Sequence, residues 1–386
     1  MPDRAPKLFI VLLMTWAVIT VARSGHEMPV YPSYYPHEIE IATISPDQAA
    51  GLLRDGKIQA FVGSQLRLGI APSEPIRAIE SLGSLVIVRV NPAWPLAKDE
   101  QSRCALTRAV LIAMSPQGGE LVVHPYPVTP LHGDFLHHLD LAEAAKSKLL
   151  DAAASPPPFT SALRVRASDE VTKSLLPQAW VVAGAEWDAE VASVSTADLV
   201  RSTRTEMNGW SGPPWMRTGW FQAYLLLRGA LDDSSRQRSE ELLQRLKPGV
   251  YESAVERINL ERELVAGLTA GCRALVAGYT VKREYFNAEF SAGIENIGFD
   301  ALDGFNSPIF IRTVKLKDFP WNGWLALGIG ERPSAAWNPI AGFSDDFGRL
   351  MWSAVGDPAM LPSPYDSEWM LNRVSDVQAI QAKKPR

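Results

Sequence analysis

Four of the chain's six histidines, His124, His132, His137 and His138, fall within fifteen residues, and Asp134 and Asp140 stand among them. Imidazole and carboxylate together suit zinc, copper, iron or nickel. If DFLHHLDL is helical, Asp134 lies three residues before His137 and four before His138, spacings that share a helix face. His132, on the loop just before, can close around the same point. His124, His132, Asp134, His137 and His138 are therefore the candidate metal ligands, and a transition metal, zinc or copper, is the implied cofactor. Three such ligands with one open position fit a zinc site. The spacing is not HExxH, and adjacent histidines point in different directions on a helix. Two other readings remain open: a ligand or catalytic pocket without metal, and a polar loop in which Asp134 or His132 caps the helix that follows.

A second candidate chemistry belongs to tryptophan. Trp210, Trp215 and Trp220 recur every five residues in NGWSGPPWMRTGW, and Trp321, Trp324 and Trp337 each lie near Asn or Gly. Indole beside turn-forming polar residues can line a pocket that stacks flat or sugar-like ligands, and it can equally fill a core. Trp210, Trp215, Trp321 and Trp324 are the candidate ligand contacts. Arg312 joins them, because alternation in IFIRTVKLKDF places it on a strand face with Phe310, Val314 and Leu316. A charge on an apolar face needs a partner, either a buried carboxylate or an anionic ligand. Glu284, Glu289, Glu295, Asp300, Asp345 and Asp346 read as solvated charges, with a pair set for glycosidic acid–base chemistry as the alternative. Neither a phosphate-binding GxxxxGK[ST] nor a GxSxG elbow nor a GxGxxG turn occurs, and no histidine follows His138.

These side chains need elements to hold them. SLGSLVIVRVNP (81–92) is a continuous apolar run, expected of a strand buried on both faces. The strand–helix–strand rhythm of 39–63, with Pro46 at a helix start and Gly56 at its stop, is the local unit of an α/β fold. GGELVVHPYPV is a further strand, and the histidine window leads from it into a helix from about Asp140. A loop between a strand's carboxyl end and a helix is where α/β folds place ligands. AAGLLRDGKIQAFVG and LGSLVIVRVNPAWPL resemble the lobes of periplasmic solute-binding proteins, in which a helix ending in Gly and a strand lead toward the cleft. That resemblance implies ligand binding outside the cytoplasm. The tryptophan-rich second half departs from the two-lobe pattern.

The chain has 386 residues, 46% hydrophobic and 21% charged, with a net charge of −5 and 29 prolines. Two globular domains are the natural division, and nothing resembles the basic stripe of a nucleic-acid binder. The expected architecture is mixed α/β and exported. Residues 1–24 form a signal peptide or membrane anchor, from the basic start and the apolar run 8–22. Residues 27–154 form an α/β domain carrying the histidine loop. The prolines of 155–160 form a linker. Residues 161–376 form an α+β, tryptophan-rich domain with a long irregular C-terminal wrap, and 377–386 is a disordered tail. AWVVAGAEW and SPIFIRTVKLKDF read as strands, and 252–271 as a helix with Val255, Ile258, Val265 and Leu268 on one stripe. Cys104 and Cys272 lie in helix-like apolar contexts, so two separately buried thiols are the expectation, with a disulfide as the alternative. The functional expectation is a periplasmic ligand-binding or accessory protein, acting on a small molecule or with a periplasmic or membrane protein partner. The alternative is a metal-dependent periplasmic enzyme or metal-handling protein built on the histidine cluster.

Overall fold

The computed structural model describes residues 36–63, 66, 68, 74–114, 121–153, 163–201, 214–318, 323–333, 345–356 and 359–376. The export segment 1–24, the linker 155–160, Trp210, Trp321 and the tail 377–386 lie outside the described residues. Among the described residues, no helix is long and apolar enough to cross a membrane.

The chain opens with β1 (Glu38–Thr43), α1 (Pro46–Arg54) and β2 (Ala60–Val62), as the sequence rhythm predicts. Pro46 supplies the fixed φ of a first helical turn, and Gly56, at φ +66, turns the chain out of the helix. β3 (Ile76–Val90) and α2 (Glu100–Met114) follow, then β4 (Leu121–Val123) and α3 (Leu139–Ala153). Next come β5 (Val165–Ala167), α4 (Glu170–Ser174), β6 (Ala189–Ser195) and α5 (Thr196–Arg201). Three helices stack in succession: α6 (Gly219–Leu227), α7 (Asp233–Leu246) and α8 (Ala254–Thr269). The rest comprises β7 (Ala274–Asn287), β8 (Ile294–Glu295), α9 (Pro308–Thr313), β9 (Lys315–Leu316), β10 (Trp324–Ile329), α10 (Asp346–Val355), β11 (Met360–Pro362) and β12 (Trp369–Leu371).

One eight-stranded mixed sheet runs β1-β10-β2-β7-β3-β6-β5, with β4 also paired to β7. Its centre is the long antiparallel pair β3 and β7. Leu85, Val86, Ile87 and Val88 are all fully buried, because alternate side chains of a strand face opposite ways and both faces are covered. Leu85 and Ile87 pack with the α6–α8 layer, whereas Val86 and Val88 pack with α2. Each such side chain adds about 2 kcal/mol of apolar transfer.

This topology differs from the sequential division into 27–154 and 161–376. β7, from the second half, lies between β2 and β3 of the first, and β10 lies between β1 and β2. The halves share one sheet, because partner choice depends on complementary faces and not on nearness in sequence. Three other expectations also change. AWVVAGAEW contributes only a single bridge at Val181 in place of a strand. SPIFIRTVKLKDF splits into α9 and the short β9, since Pro308 is placed where a helix begins. On α8 the buried stripe is Leu260, Leu264, Val265 and Leu268, while Val255 is 67% exposed.

Cys104 and Cys272 form a disulfide, with Cα atoms 4.9 Å apart, which corrects the expectation of two separate thiols. Their apolar contexts are two walls of one contact: α2 packs against the turn Ala270–Cys272, where Gly271 at φ +70 reverses the chain into β7.

Candidate functional site

The histidine window leaves β4, passes a short 3-10 turn (Phe135–His138) and enters α3. Asp134 does not cap the turn beside it. Its carboxylate accepts hydrogen bonds from the backbone N–H groups of Gly219 (2.7 Å) and Trp220 (3.1 Å), the first residues of α6. Thr218, the residue ahead of α6, makes no side-chain cap of its own; its hydroxyl donates to Trp215 O. The cap of α6 thus comes from a residue 85 positions away, and a negative charge there also suits the helix dipole. The close approach depends on glycine: a Cβ on Gly219 would sit 2.6 Å from Val128 Cγ1 and 3.0 Å from His132 Cγ.

The histidines are engaged separately. His132 Nδ1 accepts from Thr129 N at 2.9 Å, so its Nε2 carries the proton and donates to Gln222 Oε1 at 3.0 Å. Burial holds its pKa below the usual imidazole range. His138 Nδ1 lies 2.9 Å from the Tyr126 hydroxyl, and burial lowers its pKa to about 4. His124 donates from Nε2 to Val128 O at 2.9 Å and packs against Phe135 and Tyr279, its pKa also lowered by burial. His137 faces α8, where its Nδ1 comes within 3.6 Å of Glu261 Oε2. The ligand set proposed from spacing, His124, His132, Asp134, His137 and His138, is therefore not gathered. Among the described residues, no group of three or more His, Cys, Asp or Glu could hold a metal ion. The physical reason is that the 3-10 turn and the proline-rich loop send each ring to a different backbone or side-chain partner.

What the loop does build is one wall of a cavity of about 500 Å³. Gly133, Asp134 and His137 face Arg257 and Glu261 of α8 across it, with Trp215, Tyr251 and Lys247 forming an aromatic and basic flank. Lys247 sits 5.0 Å over the Trp215 ring. The 366–368 segment closes the cavity from the C-terminal wrap, its backbone so near Gly133 that a Cβ there would lie 2.7 Å from Asp366 C. Glu261 is 3% exposed. Burial, reinforced by the charge of Asp134 and opposed by Arg257, pushes its carboxyl up to about 7. Arg257 Nε lies 3.7 Å from Glu261 Oε1, too long for a hydrogen bond. Glu261 Oε2, His137 Nδ1 and Arg257 Nε are buried and lack a hydrogen-bond partner among the described residues.

The other expected contacts distribute unevenly. Trp215 reaches the cavity, and Trp220, not among the chosen four, lines it as well. Trp324 is 75% exposed at the start of β10. Trp210 and Trp321 fall outside the described residues. Arg312 is on helix α9, not on a strand face, with Nη1 3.5 Å from Gly356 O. Glu284 and Asp300, read as solvated, are buried: Glu284 accepts from Gly63 N and Phe305 N, and Asp300 pairs with Arg217 at 3.2 Å. Glu261 was missed, although its signal is present: it shares a helix face with Leu264, Val265 and Leu268.

No family model matches the chain, and no curated protein matches it. Among its structural neighbours are several binding proteins. One is the periplasmic binding protein DppA from Helicobacter pylori in complex with the peptide STSA: 12% identity, 71% of this chain, 55% of that chain, TM-score 0.40. Another is the oligopeptide-binding protein AppA from Bacillus subtilis in complex with a nonapeptide: 12% identity, 70% of this chain, 58% of that chain, TM-score 0.39. A third is the substrate-binding protein CtaP from Listeria monocytogenes: 12% identity, 70% of this chain, 58% of that chain, TM-score 0.41. The chain spans little more than half the length of these proteins.

Proposed function

We propose that the chain is an extracytoplasmic binding protein whose ligand site is the cavity between the histidine loop and α8. One observation carries this reading. Glu261 Oε2, His137 Nδ1 and Arg257 Nε are buried without a hydrogen-bond partner among the described residues, beside one cavity of about 500 Å³. Such an atom costs about 1–3 kcal/mol while unpaired, so a ligand atom placed among them returns that stabilisation. A cavity of a few hundred Å³ with few polar groups and an aromatic wall is the usual form of a small-molecule site.

The chemistry favours a cationic or donor-bearing head with an apolar flank. An ammonium group set against Glu261 would draw its carboxyl into the ionised form and release a proton on binding. Trp215 and Tyr251 would cover the flank. Tyramine combines both features, and glucose tests the neutral alternative. Thermal unfolding of the exported protein is expected to show saturable stabilisation by tyramine at pH 6–7, lost in Glu261→Gln. If neither probe stabilises the protein, or if Glu261→Gln responds as the parent does, the reading is wrong.

A further inference from the structure

The C-terminal end of α6 borders a different cavity, of about 640 Å³, and its walls have the opposite sign. Four arginines line it, Arg89, Arg103, Arg228 and Arg273, against two carboxylates, Glu190 and Asp232. Neither carboxylate is free to neutralise the surplus. Glu190 accepts from Arg166 at 2.8 Å and stands 3.8 Å from Arg89, so two guanidinium groups share it. Asp232 pairs with Arg273 at 2.9 Å and also accepts from Ser234 and from the backbone N–H of Ser235 at the start of α7.

Arg103 is the decisive residue. It is 5% exposed, and among the described residues its nearest acidic influence is the exposed Asp99 carboxylate, which feels its charge without forming an ion pair with it. Its Nε donates to Gly271 O at 2.7 Å, and its Nη1 donates to Ala97 O and Lys98 O at 2.9 and 3.1 Å. Those carbonyls orient the guanidinium without cancelling its charge, and Nη2 makes no hydrogen bond within the described chain. Arg228, exposed at the end of α6, lies 5.3 Å over the Tyr224 ring and forms no ion pair among the described residues. A buried cation hydrogen-bonded to carbonyls, its one acidic neighbour solvated, is stabilised by an anion that joins it.

We infer that this cavity is a binding site for a small oxyanion, a ligand carrying carboxylate or phosphate groups. Arginine forks match both groups bidentately, and the volume suits a small molecule. The disulfide belongs to the same construction. Arg103 and Arg273 each directly adjoin one of its cysteines, so the Cys104–Cys272 bond holds two of the four cations in register.

The test uses the disulfide-bonded protein and two probes, inorganic phosphate and succinate, titrated calorimetrically at constant ionic strength. Saturable binding is expected for at least one, and the stronger of the two identifies the oxyanion. Because Arg103 orders three carbonyls, its replacement endangers the fold. The variants are therefore Arg228→Gln and Arg89→Gln, both at accessible positions, and each is expected to weaken binding about tenfold. Glucose is expected not to bind here. Absence of saturable binding by both anions overturns the inference, as does unchanged affinity in the Arg228→Gln, Arg89→Gln double variant.

Discussion

The two ends of α6, nine residues and about 13 Å apart, face opposite chemistries. At the N-terminal end, Asp134 occupies the helix cap and Glu261 lies buried across the adjoining cavity. At the C-terminal end, Arg228 leads a cavity with twice as many arginines as carboxylates. The helix dipole favours each arrangement, by about 0.3–1 kcal/mol per charge. The ends differ more in how they are held. The acidic end is set by close packing, with Gly219 against Val128 and His132 and Gly133 under the 366–368 backbone. The basic end relies on one covalent bond and a few carbonyls. Packing desolvates and so shifts proton affinities, whereas a tether can hold charges in place while leaving them accessible to a ligand.

The largest test of that contrast removes the tether. The Cys104→Ser, Cys272→Ser variant opens a loop spanning 168 residues, and its loss is expected to cost about 2–5 kcal/mol, read as a drop in the urea midpoint. Under folded conditions, phosphate or succinate binding is expected to weaken while tyramine binding survives. Equal losses at both ends would break the distinction.

Next in size is the acidic cap. Asp134→Ala strands the buried N–H groups of Gly219 and Trp220, and a loss of about 4 kcal/mol is expected. Asp134→Asn keeps one acceptor and should recover part of it. Denaturant unfolding checks both. If Asp134→Ala costs under about 1 kcal/mol, packing and not the cap holds this end.

The third effect is a pH dependence with a definite sign. Glu261 keeps its proton up to about 7 in the folded chain, whereas an unfolded carboxyl releases it near 4.5. Unfolding therefore releases a proton between those values, so this stabilisation is complete below pH 4.5 and declines as pH rises to 7, by about 3 kcal/mol. Burial depresses His132 and His138, which act in the reverse direction: their contribution is lost as pH falls below about 6.5, for His138 through about 4. Glu261→Gln deletes only the first slope. The variant is expected to match the parent near pH 4.5 and exceed it at pH 8. Parallel stability curves across that range would mean that Glu261 is ionised in the fold.

Much of this architecture was legible locally. The apolar run in β3, the punctuation of α1 by Pro46 and Gly56, and the helix following the histidine loop all follow from side-chain period and backbone preference. The candidate site was half legible. The histidine loop does form a cavity wall, but three of its four histidines are spent on Thr129, Gln222, Tyr126 and Val128, and only His137 is left to face the cavity. Spacing along a chain can place two ligands on one helical face. It cannot show which neighbour satisfies each ring nitrogen once the loop folds back.

Periodicity, composition and turn residues determined by themselves that the chain is mixed α/β, that residues 85–88 are buried on both sides, and where several helices start and stop. Those are consequences of backbone geometry acting within a few residues. Tertiary structure alone decided that β7 enters between β2 and β3, that Cys104 meets Cys272, that Asp134 caps a helix 85 residues downstream, and that an acidic and a basic cavity flank one helix. Each is a contact between distant segments, chosen by the fit of whole faces, and residue spacing carries no record of which face will meet which.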